Sequence, residues 1–501
     1  MIKKAWKKIG AVKKKINQKM GGRYYPRMIA LCAAAAAALL MTAMLFVPSY
    51  LGVADDGSLT RVMQSAGLSY IEEIEDSGEN IYFDYFIKSY SVANAASRQP
   101  ESIMTSHVYM IRLAVWVDYL FTGDNFFDIR FLALLYGILY VPGIYLLVEQ
   151  ACLRTKSFSE GIAAGLLGLL IFSDVAYITY FNSFYPEVLW FISMMYCMAA
   201  VVSFQIRGKL GKDIVYLLLL LIFAAAFTIS KRECSLIGIV FAVFILRLFF
   251  IRAEWRWKVG CVLSSLILIA LSFSNLLGGK SDFTQTSKYH AMTRGVLFTS
   301  DNPAETLEEF GISSSYEILA DVSGYEELPV VDGEDEILRE GFLDKYMSSD
   351  IALYYMKHPV KFINMLDISI KSCFGIRRDF CGNYEESVGL PEAAKSAFWS
   401  GWSRFKAETM PKTIGYLVLL LVVSGILFGK GYSVKPEKVR SDNIMLDAMI
   451  ILGWICLIQS GVTIIGSGDA EMIRHCFPVS CSIDMMTYFI AADLIHRTKI
   501  L

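Results

Sequence analysis

Charge is scarce in this chain. Only 19% of its 501 residues are charged, against 55% hydrophobic, and the formal net charge is -1. The apolar residues fall in blocks of roughly 15 to 23 between short charged loops, the pattern of a polytopic helical membrane protein. That excludes a soluble chain of about two or three domains. Histidines number five, too few to favour an acyl- or phosphotransferase working through a deep imidazole. The ten cysteines lie mostly in or beside apolar blocks and none has metal-ligand spacing. Cys373 and Cys381 stand apart in a polar region, where a disulfide and two free thiols are both open. Internal repeats are missing too, which weighs against a transporter built from inverted halves.

Acidic residues are absent from residues 1–27, which carry eight lysines and two arginines. Next to a membrane segment such a tail reads as a cytoplasmic anchor on anionic lipid, not a nucleic-acid-binding arm. The first apolar run, 28–50, starts too late and runs too long for a secretory signal, so it is expected to remain as a first span. Its six consecutive alanines, 33–38, read as close helix packing. Ten spans are predicted: 28–50, 129–148, 159–177, 187–205, 213–229, 236–251, 259–276, 414–429, 444–465 and 475–494. With the N-terminus inside, every cytoplasmic loop is basic. Those loops hold Arg154 and Lys156; Arg207, Lys209 and Lys212; Arg252, Arg256 and Lys258; then Lys430, Lys435, Lys438 and Arg440. The C-terminal tail, with Arg497 and Lys499, also falls inside.

This threading divides the chain into a basic tail 1–27, a transmembrane module 28–276 with a first outer loop 51–128, an outer-face region 277–413, and a second transmembrane module 414–501. The fold class is all-α, with about ten spans and two large outer regions. The first outer loop carries an acid-rich turn, "EEIEDSGEN" (72–80). The outer stretches 106–121 and 349–374 are amphipathic, and His107 and His358 within them read as interfacial.

Polar groups then collect at one face. Asp55 and Asp56 follow the first span; Asp174, Asn182, Tyr185 and Glu187 lie around the second outer turn; Lys231 and Arg232 sit in "TISKREC"; Asp469, Glu471, Arg474 and His475 occupy "GSGDAEMIRHC". Ionisable residues in or beside spans are costly and raise a functional-site hypothesis. Plainer roles stay open: the aspartates as caps of a helix starting near Leu59, the tyrosines as an aromatic belt, Glu187 as a helix-start carboxylate, and the cations as partners of lipid headgroups. Lys231–Arg232 runs against the inside bias and makes better sense meeting an anion, either Glu233 or a phosphate; a guanidinium such as that of Arg474 grips phosphate through two parallel bonds. Asp484, in "CSIDMMTYF", is the one deep charge and suits helix packing or a cavity floor.

The segments "ADDGSLTRVMQSAGL", "SDVAYITYFNSFYPE", "TISKREC", "KYHAMTRGVL" and "GDAEMIRHCF", in this order and on one side, resemble bacterial integral-membrane glycosyltransferases of the GT-C superfamily. The likeness spans about residues 28–495 and is greatest to hexose transferases of cell-surface glycan biosynthesis. It implies a polyprenyl-phosphate-linked sugar donor, a surface glycan or lipid-linked acceptor, and inversion at the outer face of a bacterial cell membrane, with both termini cytoplasmic. The family's catalytic base, the acid after the first span, falls on Asp55 or Asp56, with Asp56 favoured. Lys231, Arg232, Arg474 and His475 match donor-phosphate positions. Asp174, Asn182, Tyr185, Glu187, Tyr289, His290, Asp469 and Glu471 match the cavity lining. The second outer loop lacks the acidic pair of metal-dependent relatives, so neither a metal nor another cofactor is expected. The alternative is a polytopic transporter or flippase of a lipid-linked glycan precursor.

Overall fold

The computed structural model describes residues 25–72, 82–92, 105–204, 209–277, 285–324, 336–433 and 441–498. The lysines of the tail, most of the acid-rich turn after Ile71, Arg207, Lys435, Lys438, Arg440 and Lys499 lie outside these residues. Each of the ten apolar segments is helical. Among the described residues six helices are long and apolar enough to cross a membrane: Tyr25–Leu45, Arg130–Leu153, Leu210–Thr228, Trp255–Leu277, Ser441–Ser467 and Phe477–Thr498. The pair Phe158–Phe172 and Val175–Asn182, bent by 46°, is long and apolar enough only when its two helices are taken together. Glu187–Ser203, Ser235–Leu248 and Ile414–Phe428 are shorter. The chain is thus a helical, multi-pass membrane protein.

Small residues let the first helices approach. Ala30, Ala33, Ala34 and Ala37 are buried, while Gly161 and Gly165 lie directly against Ile29, leaving no room for a Cβ. Glu187–Ser203 is buried at every position except Val202. A helix apolar all round belongs at the centre of a bundle, and this one packs on Arg130–Leu153, Leu210–Thr228, Ser441–Ser467 and Phe477–Thr498.

Charges sort to the two ends of the bundle. One end holds Arg27–Glu149 (3.2 Å), Arg154–Asp442 (2.7 Å), Arg154–Asp493 (3.3 Å), His496–Glu160 (2.9 Å) and the buried Arg252–Asp213 pair. The other end gathers the turns after residues 45, 172, 228 and 467, and the two long polar regions rest on it.

Those regions depart from the sequence reading in two places. A three-stranded antiparallel sheet (Leu68–Ser69, Ser89–Val92, Phe126–Asp128) interrupts the all-α pattern, its strands too short to show alternation. His107 is not interfacial: it is 2% exposed and bonds the Tyr136 hydroxyl at 3.2 Å and the Phe184 carbonyl at 2.5 Å. The helix Ser106–Thr122 lies against Arg130–Leu153 and turns Tyr109, Trp116 and Phe121 outward. The stretch 349–374 is two helices, Ser348–Lys357 and Pro359–Ser372, broken at His358 where a proline follows.

Candidate active site

The turn carrying the two aspartates is held by a distant part of the chain. Gly52 N–H donates to Asn383 O and Ala54 N–H to Gly382 O, each at 3.0 Å, and Asn383 Nδ2 returns to Gly52 O at 2.8 Å. A Cβ on Gly382 would overlap the backbone of Asp84, so this crossing needs glycine. The pairing brings Asp56 beside Arg378, 322 residues later in the chain.

The adjacent aspartates diverge. Asp55 Oδ1 accepts from the amides of Gly57 (2.8 Å) and Leu59 (3.2 Å), and Oδ2 accepts from the Tyr70 hydroxyl at 2.5 Å. Burial raises its pKa despite these bonds. Asp56 Oδ1 takes the amide (3.1 Å) and hydroxyl (2.5 Å) of Ser58. Its Oδ2 faces Arg378 Nη1 and, at 3.2 Å, Arg474 Nη1. Burial would raise this carboxyl too, but Arg474 and Arg378 together hold it far below the usual range. Asp55 shapes the turn, and Asp56 faces the cations.

Tyr185 is the floor beneath them. Its hydroxyl donates to Ala54 O at 3.0 Å and accepts from Asp56 N–H at 2.9 Å. Its ring lies 4.4 Å from the Arg378 guanidinium and 5.6 Å from that of Arg474.

From Asp56 a chain of alternating charges leads outward. Arg474 Nη1 reaches Glu471 Oε2 (3.3 Å), Glu471 Oε2 lies 3.7 Å from His475 Nε2, His475 Nδ1 meets Glu233 Oε2 (2.9 Å), and Glu233 Oε1 meets Lys231 Nζ (2.8 Å). Burial opposes ionisation of Glu471, yet His475 and Arg474 bring its pKa to about 2. Burial likewise opposes a charged His475, and Glu233 outweighs it, so the imidazole pKa is raised. Glu187 completes the group, 4.0 Å from Arg474 Nε.

Several buried atoms here have no hydrogen-bond partner among the described residues: both oxygens of Glu187, Nε of Arg474, and Nε and Nη2 of Arg378. Buried polar groups are normally paired. Nε and Nη2 form the edge of a guanidinium that grips a carboxylate or phosphate with two parallel bonds. Arg378 is 2% exposed. The site therefore offers a buried anion-binding fork beside a carboxylate.

Other residues singled out by sequence sit elsewhere in the network. Asp174 caps two helices at once, accepting from Ala176 N (2.9 Å), Trp402 N (3.0 Å) and Ser403 N (2.9 Å). Asn182 Nδ2 donates to Leu51 O at 2.8 Å and steadies the aspartate turn. Arg232 Nε donates to Leu276 O at 3.0 Å, whereas neighbouring Lys231 joins the charge chain. Asp469 takes both Nε (2.7 Å) and Nη2 (2.9 Å) of Arg294. Tyr289 and His290 are buried; His290 Nε2 accepts from Gly324 N at 2.8 Å, and burial lowers its pKa to about 4. Cys373 and Cys381 are free thiols. Among the described residues no group of three His, Cys, Asp or Glu is arranged to hold a metal ion.

Arg378 is the residue that sequence reasoning missed. "FGIRRDFCGN" (374–383) places two arginines in an outer region, the same breach of the inside bias that drew notice to Lys231–Arg232. Arg377 is taken up by Asn383 Oδ1 (2.7 Å) and Ser396 O (3.1 Å). Only Arg378 turns to Asp56.

A cavity of about 610 Å³ lies at the opposite end of the bundle, lined by Arg154, Asp442, Asp493, His496 and Arg497 among others. Its charges pair with one another and leave Nε of Arg154 without a hydrogen bond, whereas the two-donor edge of Arg378 is at the Asp56 end.

No curated protein matches the chain. Among solved structures it is similar to the archaeal oligosaccharyltransferase AglB from Archaeoglobus fulgidus in complex with an inhibitory peptide and a dolichol-phosphate: 10% identity, TM-score 0.40, covering 94% of this chain and 51% of that one. The apo form of the Archaeoglobus fulgidus oligosaccharyltransferase gives 11% identity and a TM-score of 0.38, covering 96% and 52%. The chain spans about half the length of those proteins. A family model described as the YfdI N-terminal transmembrane domain matches residues 10–501, and the chain belongs to that family.

Proposed function

We propose that this protein is a GT-C-like inverting glycosyltransferase that moves a hexose from a polyprenyl-phosphate donor to a surface glycan or lipid-linked acceptor. The reaction takes place at the outer membrane face, and both termini lie in the cytoplasm. The observation that carries this reading is the buried Asp56 carboxylate held between Arg378 and Arg474, with a guanidinium fork free beside it.

The isoprenoid lies in the bilayer along the bundle, and its phosphate meets Arg378, Arg474 and the outlying Lys231 and His475. Asp56 takes the proton of the acceptor hydroxyl. The acceptor oxygen bonds to the anomeric carbon from the face opposite the phosphate. The carbon–oxygen bond to phosphate breaks, and its electron pair leaves as a second negative charge on polyprenyl phosphate. Cations aimed at that charge stabilise the transition state. Polar regions over the site keep water from the sugar.

Incubating the purified full chain with a panel of radiolabelled polyprenyl-phosphate hexoses and glycan acceptors tests this. Label should pass to the acceptor with the anomeric configuration inverted. Movement of intact lipid-linked sugar across vesicles, with no new glycosidic bond, would establish the transporter instead.

A further inference from the structure

We propose that the donor phosphate and Asp56 compete for Arg378 and Arg474, so that the base is freed only as the donor is seated and cleaved. This rests on the glycosyltransferase reading. Its physical content is a conflict visible in the resting site. Two buried guanidinium groups converge on a single oxygen of Asp56, one through Nη1 of Arg378 and one through Nη1 of Arg474. A carboxylate so held stays ionised but binds a proton weakly, the opposite of what a general base requires. Something must draw the cations away before Asp56 can act.

The remaining donors of the same two groups point to what does so. Among the described residues, Nε and Nη2 of Arg378 make no hydrogen bond, and neither does Nε of Arg474, which faces Glu187 Oε1 at 4.0 Å. A phosphate seated on these edges neutralises positive charge that Asp56 otherwise satisfies, with Glu471 and Glu187 beside Arg474. The effect grows through the reaction, because the donor phosphate carries one negative charge and the departing polyprenyl phosphate carries two. As the bond to the anomeric carbon breaks, the guanidinium groups follow the new charge. Asp56 loses counterions in a buried setting, its proton affinity rises, and it accepts the acceptor's proton at that moment. Tyr185, which bonds the Asp56 amide and underlies both arginines, keeps the exchange within one rigid frame. Arg378 is then a positioning residue for the base as well as a ligand of the phosphate.

Competition of this kind makes the base an antagonist of donor binding. Asp56→Asn keeps the shape and removes the competing anion. It should tighten binding of polyprenyl phosphate in detergent micelles by about tenfold, whereas a carboxylate that merely helps build the site would weaken binding when neutralised. Arg378→Lys, which keeps charge and loses the fork, should weaken binding by at least about tenfold. Asp56→Ser supplies a second anion-free variant, and the rise in melting temperature on adding polyprenyl phosphate reads the same affinity from stability. Tighter binding and a larger thermal shift in the anion-free variants support the competition. Unchanged or weaker binding in folded anion-free variants, with wild type binding well, overturns the competition and leaves the transferase reading standing. Failure of wild type and variants alike to bind polyprenyl phosphate overturns both.

Discussion

Asp56→Asn is expected to lower the rate of glycosyl transfer by roughly 10²–10⁴-fold, the usual contribution of a positioned general base. Asparagine can keep the bond from Ser58 to Oδ1 and the bond between the Asp56 amide and Tyr185, because neither depends on the charge. What it loses is the proton acceptor. Radiolabel transfer at saturating donor separates this from a binding defect, since the variant should hold polyprenyl phosphate at least as well as wild type. Asp55→Asn is expected to lose less than about tenfold, since an amide oxygen can still accept the Gly57 and Leu59 amides that define the turn. If the large loss followed Asp55 and spared Asp56, the two roles would be exchanged.

The second large effect concerns stability. Lys406 and Asp484 are fully buried and form an ion pair at 2.7 Å. The Asp484 carboxylate also accepts from Trp402 Nε1 (2.8 Å) and the Tyr177 hydroxyl (2.5 Å), while Lys406 Nζ donates to Ser480 Oγ (2.8 Å). These contacts pin the helix Gly401–Glu408 into the bundle against Phe477–Thr498. Removing one partner leaves a buried charge uncompensated, at a cost of about 3–5 kcal/mol. Lys406→Met should therefore lower the unfolding midpoint sharply in detergent. Asp484→Leu on that background should recover much of the loss, because a well-packed apolar pair often matches a buried ion pair. A double variant as unstable as Lys406→Met would mean that the cluster matters for its hydrogen bonds and not its charges.

Asp484 shows what the sequence alone leaves open. Its depth was legible, because a carboxylate inside "CSIDMMTYF" has no route to water. Its partner was not, since Lys406 lies in a polar segment whose amphipathic pattern fits an interfacial helix equally well. That the chain forms a helical, multi-pass bundle was legible, because hydropathy in the bilayer is a strong, local signal. The meeting of Asp56, Glu187, Lys231 and Arg474 followed from the same threading, as all four sit at turns on one side. The inside bias of lysine and arginine marks the Arg377–Arg378 pair, but not the contact of Arg378 with Asp56. That contact depends on backbone bonds between residues 52–54 and 382–383, a pairing with no periodicity to announce it. The partners of Asp174 were hidden for a related reason. A buried carboxylate looks reactive until the amides of a helix start more than 220 residues away are seen to occupy it.

The position of the donor phosphate decides the matter. A cryo-EM structure of the full chain with bound polyprenyl phosphate should show phosphate oxygens about 3 Å from Nε and Nη2 of Arg378. Arg474 should lie on the same group, with the Asp56 carboxylate turned away from both arginines. Phosphate density at the opposite end of the bundle, among Arg154, Asp442 and Asp493, would contradict the account.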